Sequence, residues 1–155
     1  MIKHLHIALL LFGLWTPGMA SNMENEQQPV ITTVLTLKSI IYNKLNENQA
    51  RSELNRIPST KPFVKEGRYT GHKLFEDGKL IGLLSVRYQN KIPVMAAYST
   101  VPLKVRHATS MYKDYRETLQ GHYKEDSFNH FDIGDGIIAE LSKKQRSLSI
   151  FVYRR

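Results

Sequence analysis

The chain has 155 residues and a formal net charge of +8, with 22 lysines and arginines against 14 aspartates and glutamates. It contains no cysteine, which excludes disulfide bonds, a cysteine nucleophile and lipid attachment at a cysteine. This length is that of one domain whose core is sufficient without covalent cross-links. No run of five or more basic residues occurs, so nucleic acid is not a favoured partner.

Residues 1–20 have the composition of a cleavable export signal. Lys3 precedes an apolar run over residues 7–15, and Gly18 and Ala20 place small residues where a signal peptidase cuts. A helix needs about 20 apolar residues to span a bilayer, so we expect cleavage after Ala20 and not an integral membrane protein. A retained N-terminal anchor is the alternative.

The cellular location expected from this signal is periplasmic or secreted. The chain has neither cysteines nor N-x-Ser/Thr glycosylation sequences, which favours a bacterial protein. Residues 21–29 are polar and acidic without periodicity, which predicts a flexible lead-in. Residues 30–155 then form a single globular domain.

Two helices are predicted at the start of this domain. Val34, Leu37 and Ile41 recur at intervals of three and four, which predicts a helix over residues 33–45. A second short helix, capped by Asn46 or Asn48, ends before a proline. Residues 59–67 are expected to be a linker.

The centre of the chain, residues 68–101, predicts three consecutive antiparallel strands. Asp77-Gly78 is typical of a two-residue hairpin turn with positive φ at both positions. That turn pairs Phe75 with Leu80 and Leu74 with Ile81. A second turn is predicted at residues 89–91.

The remaining chain predicts one helix and a closing hairpin. Met111, Tyr115 and Leu119 form the apolar face of a helix that begins at Thr109 or Ser110. Residues 127–136 are a loop or short strand, and alternating apolar residues on either side of residues 143–145 predict the hairpin. The fold class is α+β, with a mainly antiparallel sheet of about five to six strands and two to three helices packed on one face. No motif identifies a family.

The acidic segment near residue 130 is a candidate metal site. His130, Asp132 and Asp135 offer an imidazole and two carboxylates within a few residues. The segment lacks the acidic spacing of an EF-hand loop. The alternative is turn chemistry, with these groups solvated or bonded locally. We expect no cofactor.

Ser110 and Lys113 match the S-x-x-K pattern of serine enzymes that act on the cell wall. The K-T-G element and the second domain of those enzymes are missing, so the alternative is that Ser110 caps a helix and Lys113 is solvated. A small metal-assisted or serine hydrolase of the envelope is therefore an alternative function, and no complete catalytic constellation supports it.

Tyrosines beside arginines give the leading functional hypothesis. Both residue types are enriched in the residues that dominate protein interfaces, although tyrosines also line the rims of small cores. The candidate partner-binding residues are Arg68, Tyr69, Arg87, Tyr88, Tyr98 and Arg106.

We therefore expect an exported, non-enzymatic binding protein, such as an inhibitor, an immunity factor or an envelope accessory protein. It would hold a protein partner through a face or an edge of its sheet. A basic module that binds anionic lipid or wall polymer is a further alternative, suggested by the net charge.

Overall fold

The structure is a computed structural model that describes the backbone of residues 20–155 and the side chains of that stretch except residues 20–28 and 68–70. The predicted signal peptide lies outside the described residues except for Ala20. The helices are α1 (Ala20–Tyr42), α2 (Glu47–Leu54) and α3 (Val105–His122). The strands are β1 (Thr60–Lys65), β2 (Arg68–Glu76), β3 (Lys79–Gln89), β4 (Ile92–Thr100), β5 (Lys124–Ser127), β6 (His130–Asp132), β7 (Ile137–Lys144) and β8 (Ser147–Arg154).

All strands of the described chain form one antiparallel sheet in the order β1-β2-β3-β4-β8-β7-β6-β5. The order consists of two four-strand meanders, β1 to β4 and β5 to β8, that meet at the β4–β8 pair. A helix precedes each meander. The α+β class is confirmed, but the sheet has eight strands rather than the five to six predicted.

The additional strands lie where the apolar alternation is weak. β1 occupies the predicted linker and contains Pro62, and β5 consists of the polar sequence KEDS. β6 is only three residues long. These strands form because neighbouring strands supply hydrogen-bonding partners, which a search for apolar periodicity does not detect.

α1 is longer than predicted and is the central helix of the core. Its backbone is helical from Ala20, through residues 21–29 where the sequence predicts a lead-in, and it ends at Tyr42. Val34, Leu37 and Ile40 have no exposed surface. The predicted apolar spacing is therefore the face that packs on the sheet.

The other helix starts show where capping signals are informative. At α2, Asn46 accepts a hydrogen bond from the Gln49 amide while the Gln49 side chain accepts from the Asn46 amide, both at 3.0 Å. This reciprocal capping box confirms Asn46 as the helix start. α3 begins at Val105, earlier than the predicted Thr109 or Ser110, and it follows Lys104, which provides no side-chain cap.

The turns predicted at residues 77–78 and 89–91 are confirmed, whereas the closing hairpin turns at residues 145–146 rather than 143–145, because Lys144 pairs with Ser147. The register beyond the first turn is corrected. Asp77 and Gly78 have φ values of 47° and 74°, as the predicted turn requires. Phe75 pairs with Leu80, but a bulge after Leu74 pairs that residue with Gly82 instead of Ile81.

All three helices pack on one face of the sheet, and they cover the apolar core. Leu84, Ile150 and Phe131, from three different strands, each expose 1% of their surface or less. No helix in the described part of the chain is long and apolar enough to cross a membrane.

Candidate functional site

The face of the sheet opposite the helices carries the most extensive candidate binding surface. Successive side chains of a strand point to opposite faces, so the residues between the core positions lie on this helix-free face. Its central members, identified from the strand register, are Leu83, Ser85, Arg87, Met95, Ala97, Ser99, Ser149, Phe151 and Tyr153.

Basic and aromatic side chains alternate on the β1–β3 half of this face. The Lys61 Nζ atom lies 5.4 Å from the Phe75 ring centroid, and the Lys73 Nζ atom lies 4.6 Å from the Phe63 ring centroid. Both distances fit cation–π contacts. Arg87 is exposed on the adjacent strand. We call Lys61, Phe63, Lys73, Phe75 and Arg87 the basic-aromatic patch.

The opposite half of the helix-free face, on β6–β8, has a different charge. The Tyr153 hydroxyl donates to Glu140 Oε2 at 3.1 Å, and His130 Nε2 lies 3.7 Å from the same carboxylate oxygen. Asp132 lies two residues after His130 on β6 and therefore points to the same face. Lys124, opposite Asp132, and Lys144, opposite Ser147, also lie on this face, so acidic and basic side chains are mixed on this half.

Both edges of the sheet carry features that oppose the addition of a foreign strand. β1 includes Pro62, which has no backbone N–H to donate, and exposed Lys61 and Lys65. β5 is four residues long and mostly charged. The face, rather than an edge, is thus the surface suited to a partner.

The predicted partner-binding residues do not form one surface. Arg87 lies on the helix-free face, whereas Arg106 is exposed on α3. The side chains of Arg68 and Tyr69 lie outside the described part.

Two of the predicted tyrosines lie on the helix-covered face instead. Tyr98 exposes only 4% of its surface and belongs to the core. The half-buried Tyr88 donates its hydroxyl to the Leu45 carbonyl at 3.2 Å, and burial raises its pKa to about 12. Tyr98 is therefore corrected from a surface residue to a core residue, because β4 directs it towards the helices.

The predicted metal ligands point to separate partners. His130 Nδ1 lies 2.9 Å from the Phe128 carbonyl, Asp132 Oδ1 accepts from the Gly134 amide at 2.8 Å, and Asp135 Oδ2 pairs with Lys38 Nζ at 2.7 Å. Across the described residues, no group of three or more histidine, aspartate or glutamate side chains could hold a metal ion. The turn interpretation accounts for the contacts of His130 and Asp132, whereas Asp135 forms a long-range ion pair with Lys38 of α1.

The S-x-x-K pair has no geometry that activates the serine. Ser110 is exposed in α3. The Lys113 Nζ atom lies 3.8 Å from Oε1 of Glu117, which is one helical turn further along α3, and both side chains are exposed. Ser110 also lies inside the helix rather than at its start, so it does not cap α3.

A carboxylate that the sequence analysis did not single out organises the junction between α3 and β5. Glu125 accepts from Arg116 through both oxygens, at 3.0 and 2.9 Å, and from the Asn129 amide at 2.8 Å. The Asn129 amide, with Gln120 and Arg116, lowers the pKa of Glu125. Only the tertiary fold brings these donors together, so no sequence signal was available.

A cleft of about 830 Å³ lies on the helix-covered side, at the end of the sheet formed by the β2–β3 turn. Its walls come from α1, α3, strands β2 to β4 and β8, and Tyr98 and Tyr115 are among its lining residues. Burial raises the pKa of both Tyr98 and Tyr115, and the interaction between their hydroxyls raises the pKa of Tyr98 further while it opposes the rise at Tyr115. The nearby Glu76 carboxylate raises both pKa values further.

The fold is that of a small α+β protein, and among its described residues neither the predicted metal ligands nor the S-x-x-K pair forms an assembled site. Comparisons with protein-family models, curated proteins and solved structures gave no significant match.

Proposed function

We propose that the chain is an exported, non-enzymatic binding protein that holds an acidic partner protein on its helix-free face. The observation that carries this proposal is the basic-aromatic patch, in which Lys61 and Lys73 lie over the rings of Phe75 and Phe63. Cations and aromatic rings together provide charge complementarity and large contact area.

The patch is suited to a protein surface more than to a simple polyanion. Leu83, beside the patch, is 39% exposed, and Met95 and Phe151 continue the apolar surface across β4 and β8. An anionic wall polymer gains little from such apolar area, whereas a protein interface combines an apolar centre with a charged rim.

The test of binding is affinity capture from envelope and secreted fractions, with residues 1–155 expressed. The Lys61→Glu/Lys73→Glu variant reverses two charges of the patch. The control Lys44→Glu/Lys104→Glu makes the same change at two exposed positions outside the sheet. We expect one near-stoichiometric protein that both the natural chain and the control retain and that the patch variant loses.

Two results would contradict the proposal. One is retention of the same partner by the patch variant, and the other is a failure of the natural chain to retain any protein. Thermal unfolding of all three proteins shows whether a loss of binding reflects a loss of fold.

Export is proposed from the composition of residues 1–20. Intact-mass measurement of protein from periplasmic and culture fractions should give a chain that begins at Ser21. Recovery of only the full-length chain, in the cytoplasm, would overturn this part of the proposal.

A further inference from the structure

The cleft between α3 and the β2–β3 turn differs in charge from the rest of the molecule. Three of its lining residues are carboxylates, Glu76, Asp114 and Glu117, against one lysine, Lys79. The 155 residues together carry a formal net charge of +8. A negative cleft in a basic protein selects against anionic ligands and favours cationic ones.

Two of these carboxylates have no ion pair with another described side chain. Glu117 lies 3.8 Å from Lys113, but Glu76 and Asp114 form none of the ion pairs found among the described side chains. Both are exposed at the cleft. They are therefore available to a cation that enters from solvent.

The inner part of the cleft is apolar with hydroxyl groups at its wall. Leu74, Leu80 and Met111 line it with partly exposed or exposed side chains, together with Tyr98 and Tyr115. A volume of about 830 Å³ lies within the range of about 300–1,000 Å³ that is typical of small-molecule sites. Tyrosine rings also attract cations through their faces.

We propose that this cleft binds a small cationic amphiphile, with its apolar body against Leu74, Leu80 and Met111 and its amine or quaternary ammonium group near Glu76 and Asp114. The site lies on the covered side of the sheet, so this binding goes beyond the proposed partner binding on the helix-free face. The two activities are tested separately.

The test is isothermal titration of the full chain at low salt with three probes below their micelle concentrations: decyltrimethylammonium, decanoate and decanol. The three share an alkyl chain of the same length and differ in head-group charge. We expect decyltrimethylammonium to bind at least tenfold more tightly than decanoate, against the net charge of the protein. Equal affinities, tighter decanoate binding or no binding would overturn the proposal.

Two pairs of variants locate the binding. Glu76→Gln/Asp114→Asn should abolish the preference for the cationic probe, whereas Glu47→Gln/Glu66→Gln, which removes two exposed charges elsewhere, should keep it. If both double variants behave alike, the head group is not bound at this cleft.

Ser110→Trp should block the cleft and weaken all three probes at least tenfold, because Ser110 lines it and is exposed. The matched variant Lys113→Trp, also exposed on α3, should leave binding unchanged. Binding that survives Ser110→Trp would show association elsewhere on the surface and overturn the assignment. Affinity capture by Ser110→Trp should still retain the partner of the helix-free face.

Discussion

The two faces of the sheet are built from alternate residues of the same strands, and they have opposite chemistry. On β3, Leu84 is 1% exposed beneath the helices, while the adjacent Leu83 is 39% exposed on the helix-free face. On β4, Ala96 and Tyr98 pack in the core, while Met95 and Ser99 face the other way. The covered face provides the stability of the fold, and the helix-free face is the one left for a partner.

The largest difference between the faces should appear when neighbouring leucines are shortened. Leu84→Ala creates a cavity in the core and should lower the free energy of unfolding by about 2–5 kcal/mol. Leu83→Ala removes a half-exposed side chain and should cost less than about 1 kcal/mol. Urea unfolding of both variants measures the difference, and equal losses would mean that the helix-free face is also part of the core.

Arg87→Glu should lower the affinity for the partner while it leaves the free energy of unfolding almost unchanged, which is the reverse of the effect expected for Leu84→Ala. Because Arg87 is exposed within the basic-aromatic patch, its reversal should leave stability within about 0.5 kcal/mol. Affinity for an acidic partner should fall about tenfold, or about 1.4 kcal/mol. The control Arg106→Glu, on α3, should retain full affinity when both are measured by titration with the captured partner. A loss of affinity in the control alone would place the interface on the helices.

Tyr98→Phe tests a polar contact within the covered face. The substitution removes the hydroxyl that interacts with the hydroxyl of Tyr115 and should cost about 1 kcal/mol. Because burial raises the pKa of both tyrosines, the unfolded chain loses their protons first, and stability should fall as pH rises above the usual tyrosine value of 10.0.

The phenylalanine variant should lose stability less steeply with pH over that alkaline range. Chemical denaturation between neutral and alkaline pH measures the slopes. Identical slopes for the two proteins would show that Tyr98 is not protected from ionisation.

Substitution of His72 should have the smallest effect of those considered, and the effect should be visible only in the pH dependence of the free energy of unfolding. It has no exposed surface, its Nε2 lies 2.6 Å from Asn55 Oδ1, and burial together with the Arg51 charge lowers its pKa. The unfolded chain therefore binds the proton more readily, so stability should fall as pH drops below the usual histidine value of 6.5.

His72→Leu should flatten this acidic slope. His107→Leu, at an exposed position of α3, is the matched control and should retain it, because an exposed imidazole loses little hydration on folding. Denaturation series on either side of the histidine range compare the variants. An unchanged slope in His72→Leu would assign the acid sensitivity to other groups.

The sequence was informative where local physics determines the structure. The Asp77-Gly78 turn, the Asn46 cap and the apolar face of α1 each depend on residues close together in the chain, and each prediction was confirmed. β1 and β5 were missed because Pro62 and the polar KEDS segment form strands only through pairing with distant residues. The early start of α3 was missed because Lys104 provides no side-chain cap.

The candidate surfaces likewise depend on contacts between residues that are distant in the chain, which the sequence analysis could not identify. Arg87 and Tyr88 are adjacent, yet one lies on each face of the sheet, and sequence analysis placed both on a single surface. The pairing of Tyr98 with the core residue Ile150 places Tyr98 on the helix-covered face. The spacing of tyrosines and arginines in the sequence does not predict this pairing. The cleft beside the β2–β3 turn required two helices, α1 and α3, and strands from both halves of the chain to come together.

The most direct test of the central claim is site-specific photo-crosslinking in the producing cells. A photoreactive residue replaces Ser85, at the centre of the helix-free face, and in a second strain it replaces Lys113, exposed on α3. We predict one discrete protein adduct from position 85 and none from position 113. An adduct from position 113 with none from position 85 would contradict the assignment of the helix-free face as the partner-binding surface.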